Sequence, residues 1–172
     1  MPIHRLLTIV SILLISMTAN AGNNITRYKN PAHMTEAWAR EFSESIEIPA
    51  GVDQLLLSGV GPMIADAAAP ADTVQSYGDT EVQTRSVLLQ IKSTLEKRGY
   101  AMGDIVSMQA LIVGDPRKGG EADFAGFSKV YNQFFGTKEQ PNVPVRTRAQ
   151  VVRLVPPGWL VEITVTVAKR RP

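Results

Sequence analysis

No cysteine occurs among the 172 residues, and histidine appears only twice, as His4 and His33. Without thiols the chain forms no disulfide and has no thiolate nucleophile, and without paired histidines or cysteines it offers no zinc or transition-metal site. A Ser-His-Asp triad would lack a well-placed base, because His33 lies in a polar N-terminal stretch. The Walker loop, the dinucleotide-binding fingerprint and the Gly-x-Ser-x-Gly elbow are missing too. Charge of one sign is also scarce. With 18 basic against 16 acidic residues and 6% aromatics, the sequence gives no basic, aromatic surface of the kind that holds nucleic acid. The terminal Lys169-Arg170-Arg171 cluster reads as a solvated tail.

Long apolar runs are limited to the N-terminus. His4 and Arg5 give a short basic start, Leu6 to Met17 is uncharged and apolar, and Ala19-Asn20-Ala21 is a small-residue cleavage pattern, so residues 1–21 read as a secretory signal peptide. The run is shorter than the roughly 20 residues of a membrane span. Cleavage after Ala21 would place the mature chain, beginning at Gly22, in the periplasm or outside the cell, with no membrane segment left. Loss of Arg5 leaves 17 basic against 16 acidic residues, a net charge of +1. About 150 residues suit one domain with a real core.

Residues 22–40 are polar and read as an extended lead-in to a domain over 41–172. Phe42 to Ile48 alternates, Gln54 to Ser58 is a short apolar run, and Pro49-Ala50-Gly51-Val52-Asp53 between them predicts a β-hairpin. Gly59 to Gly78 reads as a long loop, a candidate lid. Asp79 or Thr80 caps a helix to about Arg98, with Val87, Leu88, Ile91 and Leu95 on one face and Gly99 past its end. Ile105 to Val113 alternates as a strand. A second helix from about Ala122 to Phe135 carries Phe124, Phe127, Val130, Tyr131 and Phe134 at helical spacing, a core stripe. Two strands follow, split by Pro156-Pro157-Gly158. The order β-β-α-β-α-β-β predicts an α+β layer, one sheet with both helices on one face.

The last two strands carry the informative charges. Val161, Ile163, Val165 and Val167 alternate onto one face, which sends Glu162 to the other with Thr164 and Thr166, while Arg146 and Arg148 share a face of the preceding strand. Were the two strands neighbours, a guanidinium and a carboxylate would line one cleft, one gripping a small organic acid and the other positioning water.

Several runs together resemble the Rid family, also called RidA or YjgF-like. They are Leu57-Ser58-Gly59, Gln83-Thr84-Arg85-Ser86-Val87-Leu88-Leu89-Gln90-Ile91, Val130-Tyr131-Asn132-Gln133-Phe134-Phe135-Gly136, the Pro-x-Arg-x-x-x-x-Val-x-Arg-Leu pattern at Pro144 to Leu154, and Val161-Glu162-Ile163. The similarity runs in order from about Phe42 to Ala168. It implies a chorismate-mutase-like protomer with a single mixed sheet, a homotrimer with clefts between subunits, and hydrolytic deamination of enamines and imines to 2-keto acids and ammonia, without metal or cofactor. On this resemblance Arg146 binds the substrate carboxylate and Glu162 positions or activates water, while Gly59 and the amide of Arg148 border the cleft. Phe42 stands where deaminating members usually carry tyrosine, Ser128 where they carry asparagine, Val60 where glutamine is common, and Arg148 where a cysteine or small residue is usual. The implied partner is a small carboxylate-bearing imine or keto acid. The second reading is a non-catalytic protein of the same fold that captures such an acid through Arg146. RNA cleavage, a label some relatives carry, is disfavoured by the near-neutral charge.

Overall fold

The computed structural model describes residues 24–170, so the expected signal peptide lies outside the described residues. In chain order the elements are β1 (Thr26–Lys29), β2 (Ser43–Glu47), β3 (Asp53–Leu56), α1 (Val74–Tyr77), α2 (Thr80–Glu96), β4 (Ile105–Val113), α3 (Phe124–Tyr131), β5 (Val145–Val151) and β6 (Val161–Lys169). Short 3-10 turns at Pro31–Met34 and Trp38–Arg40 join β1 to β2. Four strands form a mixed sheet in the order β3-β6-β4-β5, with β4 antiparallel to β6 and parallel to β5.

Periodicity decides which face is covered. On β4, Met108, Ala110 and Ile112 point the same way as Ile163 and Val165 on β6, and all five are buried in one core with Leu88, Ile91 and Leu95 of α2 and Phe127, Val130 and Tyr131 of α3. Both long helices therefore cover one face of the sheet, as the apolar stripes require. Each fully buried Leu, Ile or Phe contributes roughly 1.5–3 kcal/mol. Helix α2 starts where Asp79 accepts a hydrogen bond from the Val82 amide at 3.1 Å, and it stops at Gly99, whose φ of +77° suits a residue without a Cβ. Asp123 caps α3 in the same way through the Gly126 amide at 2.7 Å.

Three expectations are corrected. The predicted hairpin does not form. Strand β2 pairs with β1, and its Ser43 amide donates to Pro144 O at 2.9 Å, seating it at the start of β5, whereas β3 pairs with β6 at the opposite edge. The segment between β2 and β3 thus crosses the molecule instead of reversing, and the single expected sheet becomes a four-stranded sheet plus the β1–β2 ribbon. Nor are the last two strands neighbours, because β4 lies between β5 and β6. Finally, the stretch expected as an unbroken loop ends in the short helix α1 and is held to α2 at two points. Gln90 Nε2 donates to Gly61 O at 2.9 Å, the Met63 amide donates to Ser86 Oγ at 3.0 Å, and the Ala65 and Asp66 amides both donate to Ser76 O.

The stretch read as a lead-in is fastened to the domain. Arg27 on β1 donates to Gly103 O at 2.9 Å and to Ile105 O and Val143 O at 3.2 Å each, gathering the carbonyls at the starts of β4 and β5 under one guanidinium. Burial lowers the Arg27 pKa from its ordinary value, and the charge of Asp104 opposes that shift.

Candidate functional site

The parallel pairing of β4 with β5 sets Arg146 opposite Met108, on the helix-covered face. An arginine there needs partners, and α3 supplies aromatic ones. Its guanidinium carbon lies 4.4 Å from the centroid of Tyr131, 5.8 Å from Phe127 and 5.7 Å from Phe42. The side chain is 2% exposed. Arg148, two residues along on the same face, lies 5.6 Å from the Phe124 ring and donates to Ser128 Oγ at 2.6 Å. Arg146, Arg148, Ser128 and Phe42 are therefore brought together, as the sequence pattern implied.

At their centre is a residue that the sequence reading did not single out. Glu41 Oε2 accepts from Arg146 Nη2 at 2.7 Å and from Ser128 Oγ at 2.9 Å, with Arg148 Nη1 at 3.7 Å, and its Oε1 accepts from Asn132 Nδ2 at 3.2 Å. Tyr131 fixes the backbone by donating its hydroxyl to Glu41 O at 2.8 Å. Burial works to raise the Glu41 pKa, but hydrogen bonds from Arg146 and Ser128 together with the Arg146 charge outweigh it, and the net shift is downward. Burial drives the Tyr131 hydroxyl well above its ordinary value, so it remains a donor. Burial first and the Arg146 charge second lower Arg148, against Glu41. Among the described residues Arg146 Nη1 has no hydrogen-bond partner. A cavity of about 220 Å³ adjoins this cluster, with Arg146, Phe42, Ser43, Ser107 and Met108 in its wall.

Glu162 and Gly59 form a separate pair. Glu162 lies opposite Leu111 with core residues Val161 and Ile163 on either side of it, so it projects from the uncovered face of the sheet. The Val60–Ile163 bridge draws Gly59 against its carboxyl group so closely that a Cβ on residue 59 would collide with Glu162 Oε1. The expected single cleft is thus corrected. Arg146 is level with Met108 and Glu162 with Leu111, two strands over, which separates them by roughly 10 Å across and 10 Å along the sheet, on opposite faces. Within one protomer they cannot act on the same small molecule.

The missed residues have a local signal only in part. Asn132, at the C-terminal cap of α3, follows Ser128 by about one helical turn, so a polar edge beside the aromatic stripe was readable; Glu41 lies in a turn with no period. Among the described residues there is no group of three or more His, Cys, Asp or Glu side chains that could hold a metal ion, and no helix is long and apolar enough to cross a membrane.

The family model described as Endoribonuclease L-PSP matches residues 34–169, which include both halves of the site and every strand of the sheet. The chain belongs to this family, the Rid or YjgF family. A RutC family protein of Pyrococcus horikoshii is 35% identical over 86 residues, covering 50% of this chain and 60% of that protein. Another from Haemophilus influenzae is 34% identical over 101 residues, covering 58% of this chain and 68% of that one. The archaeal relatives it matches are spanned over only 59 to 65% of their length. Among solved structures, the Rid family protein YyfB of Yersinia pestis superposes with a TM-score of 0.60 at 22% identity, covering 82% of this chain and 96% of that one. E. coli TdcF with bound serine gives 0.52 at 25% identity over 76% and 94%. The mixed sheet with helices on one face is therefore the Rid fold. Its arginine cluster and its glutamate-glycine pair are the features of this Rid protein to be explained.

Proposed function

We propose that this Rid protein hydrolyses enamines and imines derived from amino acids, releasing 2-keto acids and ammonia. The observation that carries the proposal is the arginine cluster. Arg146, walled by three aromatic rings, already holds a carboxylate, that of Glu41, through one arm of its fork. The bound serine of the similar TdcF structure is consistent with a fold that receives amino-acid-like ligands. An imine carbon is already electrophilic, so the protein need only grip the acid, place water and manage protons. The water oxygen becomes the ketone oxygen, both water protons pass to the nitrogen as the carbon–nitrogen bond breaks, and the nitrogen leaves as ammonia. Glu162, beside the open backbone of Gly59, is suited to orient that water.

Because the two halves lie on opposite faces, the reaction needs Arg146 of one protomer and Glu162 of another. A homotrimer with shared clefts meets that need, and the uncovered face, where Leu56 is 71% exposed, gives it a surface to cover. Export to the periplasm completes the proposal. The second reading, a binding protein without turnover, is favoured by Phe42, which brings a ring but no hydroxyl. The deciding assay follows the loss of imines freshly generated by an amino-acid oxidase. Wild type is expected to accelerate it, Glu162→Gln to lower that rate about 100-fold with keto-acid binding kept, and Arg146→Lys to weaken binding. Keto-acid binding without imine loss would establish the second reading instead.

A further inference from the structure

The donors that the family resemblance assigns to a ligand carboxylate are in use. Arg146 and Ser128 both donate to Glu41 Oε2, and the third residue of the group, Arg148, stands 3.7 Å from the same oxygen. Glu41 is not part of the rigid frame. It follows a 3-10 turn just before β2, on no strand or long helix, its backbone is held by Tyr131, and its side chain is 13% exposed. Arg146 Nη1, buried and without a partner, shows that the fork is only half engaged. A bidentate partner would use both arms, and Glu41 uses one.

We propose that Glu41 is the resident carboxylate of the arginine site and the residue that sets its selectivity, so that a ligand acid binds only by displacing it. This rests on the reading of Arg146 as the carboxylate-binding residue. An intramolecular acid competes at high effective concentration, so the apparent affinity for any simple monocarboxylate falls by the fraction of time Glu41 is away. The ligands admitted are those that engage both arms of Arg146 or add a contact elsewhere, such as a 2-keto or 2-imino acid whose second polar group lies beside the carboxylate. Acetate, with one weak carboxylate, is shut out. Besides Arg146 and Arg148, the groups facing Glu41 are Ser128, Tyr131 and Asn132, all from α3.

The test uses the mature chain with 2-ketobutyrate and acetate as probes, measured by calorimetric titration and thermal melting. If Glu41 is away about a tenth of the time, Glu41→Ala should bind 2-ketobutyrate about tenfold more tightly than wild type. Acetate should raise the melting temperature of Glu41→Ala and leave wild type unmoved. Adding Arg146→Lys to Glu41→Ala should abolish the gain. Should Glu41→Ala be too unstable to titrate, Glu41→Gln, which keeps the shape and removes the charge, is read in its place. A gain below about threefold in the variant that folds overturns the proposal. So does failure of both variants to fold even in 2-ketobutyrate, which would make Glu41 a structural brace. If the gain appears but no form consumes imines, the deaminase reading falls and this one stands. If wild type consumes imines and the variant gains nothing, the reverse holds.

Discussion

Arg146 and Glu41 form a nearly buried ion pair, and its energetics are lopsided. Such a pair adds little over a well-packed apolar substitute, but removing one member strands the other and costs about 3–5 kcal/mol. With Glu41 away about a tenth of the time, however, Glu41→Ala should lower stability by only about 1.4 kcal/mol, below that range, and carboxylate ligands should restore part of it. The pH dependence has a defined sign. The Glu41 pKa is held below its ordinary 4.5 in the folded protein, so its contribution is fully present above that value and is lost as pH falls through the lowered one. Urea midpoints of wild type and Glu41→Gln should differ most near neutrality and converge in acid; a gap that widened on acidification would contradict the pairing. At this scale the sequence was readable where residues obeyed a period. Arg146 and Arg148 shared a face because a strand fixes their directions, and Ser128 was named through the family resemblance. Glu41 was not readable, because its partner is 105 positions away and a turn gives no direction.

Elements were legible to the extent that their signals are local. Asp79, the stripe from Val87 to Leu95 and Gly99 define α2 nearly to the residue, and alternation defines β4 and β6. Alternation says which face a strand buries and nothing about its neighbour, which is why β2 and β3 were joined in a hairpin and the pairing of β5 with β6 stayed conditional. One buried polar side chain joins elements that no local pattern would link. Gln83 on α2 donates to Gly78 O at 2.9 Å and Gly158 O at 3.0 Å and accepts from the Leu160 amide at 2.7 Å, tying the start of α2 to the approach to β6. Gln83→Leu fills the same space but leaves those groups bare, at about 1–3 kcal/mol for each one left unsatisfied. Asp79→Ala, which removes a cap and an exposed ion pair with Lys118 at 3.9 Å, should cost about 1 kcal/mol. Chemical denaturation should rank Gln83→Leu clearly below Asp79→Ala; the opposite order would show that water or a neighbour replaces the staple.

For the whole molecule, the layer architecture followed from the order of elements, whereas the division of the site between two faces followed from register alone. That division makes assembly measurable in one experiment. Native mass spectrometry of protein recovered from the periplasm should give a trimer of protomers that begin at Gly22, and a monomer with an intact Met1 would remove both the shared cleft and the export proposal. Arg27 has a practical consequence for where this domain begins. The family match starts at residue 34, downstream of β1, so a fragment trimmed to that match would lose Arg27, bare the carbonyls of Gly103, Ile105 and Val143, and leave β2 without its pairing strand. Strand β2 follows directly on Glu41 and Phe42. A truncation that looks harmless by homology would therefore unfasten the rim of the arginine pocket, and the shortest fragment able to report on the native site must start at or before Thr26.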